Sequence, residues 1–361
     1  MNKFNKILVL AIYVLLYFSC KKSPVSTITP PSAGTNVYVG GFENKVAKYW
    51  KNGNAVILAD PLLNTAINSI VVVGNDVYAG GYEINNNPTP VKVAKYWKNG
   101  ASVVLTDPTN TLSYPEINSM AVSGNDVYAA GFENTNNRQV ARYWKNGTAV
   151  SLTGSGANAR SAMIMGISVV GNDVYCVGYE TVLRVDAGQT YGVIVAKYWK
   201  NGVDITLGNT SGFAYSIASS IAVVGSDVYI AGFGPGGVNA GKTARYWKNG
   251  VAAILPTESN YESAANAITF AGGDLFVAGY EIVGGTSVAK YWKNGTLVRL
   301  TDGTRNAVAN SIAVVGSDVY VAGYVLDNAY NYVATYWKNG TATSLTDGSK
   351  VGYATSIVVT N

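Results

Sequence analysis

One five-residue phrase, Tyr-Trp-Lys-Asn-Gly, occurs seven times in this chain, with its tryptophan at Trp50, Trp97, Trp144, Trp199, Trp247, Trp292 and Trp337. These are all seven tryptophans, and they are spaced by 47, 47, 55, 48, 45 and 45 residues. A period in the forties means that one supersecondary unit must stack on copies of itself to bury its apolar faces. Between the tryptophans runs a second theme, an apolar run, a Gly-x-Asp turn and another apolar run, as in Ile312 to Gly323. Each copy therefore reads as four short strands. In the last copy these are A (Ile312 to Val315), B (Val319 to Gly323), C (Val333 to Trp337) and D (Ala342 to Leu345). Asn339-Gly340 supplies the two left-handed positions of a tight C–D hairpin turn, and Gly316-Ser317-Asp318 turns A into B. The Asn-Gly pair recurs in all seven copies, and strand reversal alone explains it.

Four strands per period of this length is the pattern of propeller blades. The first copy lacks strand A and starts at Asn36-Val37-Tyr38, whereas the last residues, Ser356 to Asn361, read as an A strand with nothing after it. The C-terminal strand can complete the first blade, which leaves a ring with no open edge. The expected fold is all-β, a seven-bladed β-propeller over residues 35–361 with four antiparallel strands per blade. With 26 Tyr, 40 Gly and no sustained helical periodicity beyond residue 20, composition agrees.

Two families resemble these motifs. Val77-Tyr78-Gly80-Gly81 with a later aromatic resembles kelch repeats, whose glycine doublet is kept at Gly40-Gly41 and Gly80-Gly81. Trp-x-Asn-Gly followed by Leu-Thr-Asp is similar to bacterial extracellular HAF-type repeats. Both resemblances span about residues 35–361 and imply a propeller; neither brings an active site.

The N-terminus is a different object. Lys3 and Lys6 precede an apolar run from Ile7 to Phe18, too short to span a bilayer, and residues 1–19 read as a signal peptide. Ser19-Cys20 at its end resembles the lipobox of bacterial lipoproteins, which implies lipidation of Cys20. Residues 20–34, with Pro24, Pro30 and Pro31, form a flexible tether. The expected place is the cell envelope, with a lipid as the sole membrane contact, facing the periplasm or the cell surface. Lys21 and Lys22 stand where an acidic cluster would favour surface export. Cys176 occupies a position held by Val39, Ala79, Ala129, Ile230, Val277 and Val321 elsewhere, and reads as core packing.

Strand order assigns the loops. A–B and C–D turns share one face and are tight; B–C and D–A connections share the other and vary, since Glu43 lies 7 residues before Trp50 and Glu180 lies 19 before Trp199. Function is expected on the variable face. An acidic column, Glu43, Glu83, Glu133, Glu180 and Glu281, follows the aromatic that ends strand B, and serves either a polar ligand or the loop backbone. An amide column at the start of strand A, Asn68, Asn118, Asn266 and Asn310, with Met165, Ser219 and Thr355 in the other copies, either lines the channel mouth for a ligand or holds water between blades. Tyr114, Phe213, Tyr215, Tyr261 and Tyr353 precede or open strand A, and offer either flat apolar faces for sugars or inter-blade packing.

The chain has no histidine, which excludes His triads, His bases and most zinc sites. No calcium loop, phosphate loop or sialidase Asp-box is present, so no metal, cofactor or catalytic residue is assigned. Removing the signal leaves 24 basic residues against 21 acidic, too small an excess for nucleic acid. The expectation is a monomeric, non-enzymatic propeller that contacts a glycan or an envelope protein through the variable face. Two alternatives stand beside it: a carboxylate-dependent glycan hydrolase or lyase using the longer loop of the fourth copy, Thr181 to Ile194 with Arg184 and Asp186, and a scaffold with no small ligand.

Overall fold

The computed structural model describes residues 34–85, 89–135, 137–153, 160–207, 215–236 and 241–361. The signal, Cys20, most of the tether and Phe213 lie outside the described residues. The described chain forms seven antiparallel sheets of four strands, each in the order A-B-C-D. In blade 1 strand A is Gly352–Thr360, paired with strand B, Asn36–Glu43, so the last strand of the chain completes the first blade. Blades 2 to 7 follow in sequence, their A strands being Asn64–Val73, Glu116–Ser123, Ala162–Val170, Ile217–Val224, Ser263–Ala271 and Ala307–Val315. The fold is the expected seven-bladed propeller.

Burial explains why strands B and C carry the repeat. In blade 2, strand B (Asp76–Asn85) buries five consecutive residues, Val77 to Gly81, because it packs against a neighbouring blade on both sides. Strand D (Ala101–Val104) is exposed along its whole length and forms the outer rim. All seven tryptophans are fully buried, and each sits against the preceding blade. Trp337 packs on Phe276, Ala278 and Ala289 of blade 6, and Trp199 on Tyr128, Ala130 and Ala141 of blade 3. Trp50 packs on Tyr320, Ala322 and Ala334 of blade 7, which makes the closing seam the same as the others. At about 25 cal/mol per Å² each indole contributes about 4–6 kcal/mol of burial to its seam.

Every A strand carries a β-bulge, and the extra residue falls on the amide column. In blade 2, Ile67 pairs with Gly81 and Ser69 with Gly80, leaving Asn68 over. The bulge explains the second glycine of the kelch-like doublet, which all seven copies keep while the first is replaced by Ala or Val in five. A Cβ on Gly81 would lie 1.9 Å from the Ala66 carbonyl oxygen, and one on Gly41 would lie 2.0 Å from that of Tyr353. Only glycine lets the bulged strand come this close.

The Asn-Gly pair does more than reverse the chain. Asn99, at φ +50, accepts from the Val77 backbone N–H through Oδ1 at 2.8 Å and donates through Nδ2 to Asp76 Oδ1 at 2.7 Å. Lys98 Nζ lies 3.0 Å from Asp76 Oδ2 and 5.1 Å from the centre of the Tyr78 ring. This clamp ties the two tight turns of one blade together and recurs in blades 2 to 7; in blade 1 Asn36 replaces the aspartate. Cys176 is buried in the seam between blades 3 and 4, and burial pushes its thiol pKa far up.

Candidate functional site

The clamps occupy the face of tight turns, so the opposite face carries what varies. Its largest departure is in blade 4. The segment Thr181 to Ile194, expected as a loop, is instead a hairpin in which strands B (Asp173–Asp186) and C (Gln189–Lys200) continue in register to an Ala187-Gly188 turn. Its β-branched residues, Thr181, Val182 and Val185 opposite Thr190, Val193 and Ile194, favour pairing over a loop.

The amide column surrounds the central channel, which is lined by the A strands of all seven blades and holds about 140 Å³. That is below the roughly 300–1,000 Å³ of a typical ligand cleft and enough for several waters or one small group. The amides also stitch neighbouring blades. Asn68, Asn118, Asn266 and Asn310 donate Nδ2 to the carbonyls of Ile117, Ile164, Ala309 and Ala354 in the next blade, at 2.7–2.9 Å. Thr355 does the same to Ile67 at 2.8 Å.

The acidic column lies further out, and each member meets the basic residue two places before the tryptophan. Lys48 is 2.6 Å from Glu43, Lys95 is 2.8 Å from Glu83, Lys197 is 3.2 Å from Glu180 and Lys290 is 2.5 Å from Glu281; Arg142 pairs with Glu133. Blade 7 replaces both partners, with Val325 and Thr335. Blade 5 replaces only the acid, with Gly234 beside Arg245.

The aromatic residues do converge. Tyr353 stacks on Tyr332 at 4.8 Å and meets Tyr324 and Phe42 edge-on or tilted at 5.0 and 5.1 Å, across blades 7 and 1. Tyr215 meets Phe233 edge-on at 5.2 Å, and Lys242 Nζ lies 5.2 Å from the Phe233 ring and 5.4 Å from that of Tyr280, between blades 5 and 6. Together these rings form an arc on the variable face, one strand out from the channel. Tyr114 and Tyr261 are exposed and stand apart from it. On the far side Lys92 caps the Tyr82 ring at 3.9 Å and pairs with Glu116 at 2.5 Å, and Asn68 Nδ2 donates to the same carboxylate at 2.7 Å.

The arc is built from the aromatic that ends strand B in every blade: Phe42, Tyr82, Phe132, Tyr179, Phe233, Tyr280 and Tyr324. Its recurrence marks it in the sequence, although the eye goes first to the tryptophan beside it. Tyr332, Lys92, Lys242 and Glu116 belong to single blades and carry no repeat signal. Burial pushes the Tyr324 phenol up to about 12, with help from Tyr332 and Tyr280, and burial likewise raises Tyr82, Tyr179 and Tyr353. Burial disfavours the Lys242 ammonium, but the Tyr280 hydroxyl and Glu262 outweigh it and raise its pKa. These directions favour the neutral phenol at Tyr82, Tyr179, Tyr324 and Tyr353 and the ammonium at Lys242, groups that donate hydrogen bonds.

No protein-family model and no curated protein matches the sequence. Among solved structures the chain is similar to a polysaccharide lyase, a PL25 ulvan lyase, at 10% identity over 93% of this chain and 94% of that one, with a TM-score of 0.57. The same enzyme bound to -[GlcA(1-4)Rha3S]- matches at 10% identity over 92% of each chain, with a TM-score of 0.56. At this identity the likeness concerns the fold.

Proposed function

We propose that this chain is a non-enzymatic propeller that binds a glycan through its variable-loop face while held at a bacterial envelope by a lipid on Cys20. The observation that carries the proposal is the aromatic arc with Lys242 at one end: flat apolar rings beside protonated hydroxyls and an ammonium suit a sugar, whose ring offers C–H faces and whose edge offers acceptors. The likeness in fold to a propeller that binds a polysaccharide supports it. Binding of the full-length protein to a panel of immobilised oligosaccharides tests it. Tyr215→Ala, Tyr324→Ala and Tyr353→Ala should each weaken the best ligand about tenfold or more, as anchor residues do. Binding that survives all three overturns the site. Incorporation of labelled palmitate, lost in Cys20→Ala, tests the anchor.

A lyase or hydrolase is the second reading, favoured by the same neighbour. The blade 4 carboxylates do not suit a hydrolase, because Glu180 and Asp186 lie six residues apart on one extended strand, about 20 Å, whereas the paired carboxylates of glycoside hydrolysis need about 5–9.5 Å. Turnover of a uronic-acid polymer, read by the ultraviolet absorbance of an unsaturated product and abolished by Glu180→Gln or Asp186→Asn, would establish a lyase.

A further inference from the structure

The seven blades serve as an alignment of the chain with itself, and one position breaks its own rule. Where strand C keeps a base two places before the tryptophan, strand B supplies a glutamate to it, in blades 1, 2, 3, 4 and 6. Where the base is lost, in blade 7, the acid is lost with it. Blade 5 alone keeps the base, Arg245, and drops the acid, for Gly234.

The consequence is a half-buried guanidinium with no counter-charge among the described residues. Arg245 Nη2 donates to the Pro235 carbonyl at 2.7 Å, a neutral acceptor. Its Nε is buried and makes no hydrogen bond among the described residues. Burial lowers the Arg245 pKa, in line with a cation that nothing balances. Sequence rules out a hidden partner within the blade: residues 208–254 contain Lys242, Arg245 and Lys248 against Asp227 alone. Asp227 belongs to the clamp on the opposite face, where it is 2.9 Å from Lys248. Glu262, from the next blade, lies 3.6 Å from Lys242. Nor is there an idle side chain in the way. A Cβ on Gly234 would lie 2.7 Å from Arg245 Cζ and 2.8 Å from Nε, so the fork lies directly over the glycine where the other blades place their carboxylate stem.

A partly buried charge left unpaired is unfavourable, and a structure keeps one where something else supplies the opposite charge. We propose that Arg245 is an oxyanion subsite, in which a carboxylate or sulfate of the bound saccharide takes the place that glutamate holds in the other blades. The planar fork suits either group, which it meets with two donors. The proposal rests on the glycan reading and narrows it to acidic glycans. Lys242, just before the strand that carries Arg245, borders the aromatic arc and brings the subsite and the arc into one blade.

Gly234→Glu is the direct test, since it installs the internal carboxylate that the ligand is proposed to replace. Blade 3 shows that the pairing fits an arginine, because Glu133 faces Arg142 from the register position of Gly234. The full-length protein, Gly234→Glu and Arg245→Gln are titrated with a sulfated, a uronate-containing and a neutral oligosaccharide of equal length, and separately with sodium sulfate against sodium chloride at matched ionic strength, read by thermal shift. The wild type should prefer an acidic oligosaccharide over the neutral one about tenfold or more, and the stronger of the two acidic probes identifies the group. Both variants should lose that preference and keep the neutral affinity, and sulfate should stabilise the wild type more than either variant, above the general stabilisation that sulfate gives all three. A preference for acidic probes that persists in both variants, or sulfate stabilisation equal in all three proteins, overturns the subsite. Sulfate stabilisation that depends on Arg245, with no oligosaccharide bound, supports the subsite and overturns the glycan reading instead.

Discussion

Replacing Glu281 by Gln removes the most deeply buried carboxylate of the acidic column. Glu281 and Lys290 are both 0% exposed and 2.5 Å apart, and the carboxylate also accepts from the backbone N–H groups of Glu258 and Ser259 at 3.1 and 2.5 Å. Lys290 keeps a second partner, Glu258, at 2.5 Å, so the substitution does not strand it completely. Breaking a fully buried pair costs about 3–5 kcal/mol, and the surviving Glu258 contact sets the expectation at the lower end, about 3 kcal/mol. The comparison is Glu43→Gln, whose pair is 11% and 21% exposed and therefore contributes about 1 kcal/mol or less. With an unfolding entropy of about 2.1 cal/mol/K per residue, a ring of this size loses about 1.5 °C in Tm per kcal/mol. Calorimetry should show a fall of roughly 4–5 °C for Glu281→Gln and roughly 1.5 °C or less for Glu43→Gln. Equal shifts, or a larger one for Glu43→Gln, would refute the argument that burial sets the strength of each pair.

Acid should destabilise the ring through its clamps. The carboxyls of Asp76, Asp126, Asp173, Asp227, Asp274 and Asp318 are held below their ordinary 3.8, chiefly by the asparagine amide at Asp76 and Asp227 and by the lysine at the other four. A depressed folded-state pKa gives stability that is complete above the unfolded value and lost as pH falls through the folded one. Urea midpoints should therefore be level near neutrality and decline below about pH 4, with a shallower decline in Asp318→Asn; a midpoint unchanged at pH 3 contradicts the clamp. Gly323→Ala places a Cβ 1.9 Å from the Val308 carbonyl oxygen and must open the bulge that presents Asn310, at a cost of about 3 kcal/mol, whereas the same change at Gly340, where nothing lies within 4 Å, is opposed only by its left-handed backbone and should cost about 1 kcal/mol. Denaturant titrations of the two variants decide between steric and conformational control.

The architecture was legible because its causes repeat. The tryptophan period, the Asn-Gly turns and the displaced A strand each follow from local chemistry present in every copy, and the blades, their order and the closing strand match it. The details that escaped depend on pairs distant in sequence. Nothing in the run Ile67-Asn68-Ser69 announces a bulge; it is set by the approach of Gly81 on the adjacent strand. Thr181 to Ile194 looked like a loop from its length, since length alone does not distinguish a loop from two paired strands. The asparagine of the turn was understood for its backbone, while its side chain bonds a residue some twenty positions away.

The candidate site was legible in a different way. Three residues that recur in all copies are committed to the ring, the tryptophan to the seam, the second glycine to the bulge and the turn asparagine to the clamp, and the five glutamates are committed to their strand C bases. A side chain so committed has few polar groups left for a ligand, whereas the recurrent aromatic of strand B keeps a ring face to offer. Recognition of something outside the ring is better sought where one blade departs from the rest and the departure leaves a group unsatisfied. Val325 with Thr335 is a departure that balances, because acid and base go together. Gly234 with Arg245 does not balance, and it stands on the same blade as Phe233 and Lys242 of the aromatic arc. In a repeat protein, symmetry locates the scaffold, and an uncompensated break in symmetry locates the place where a partner completes it.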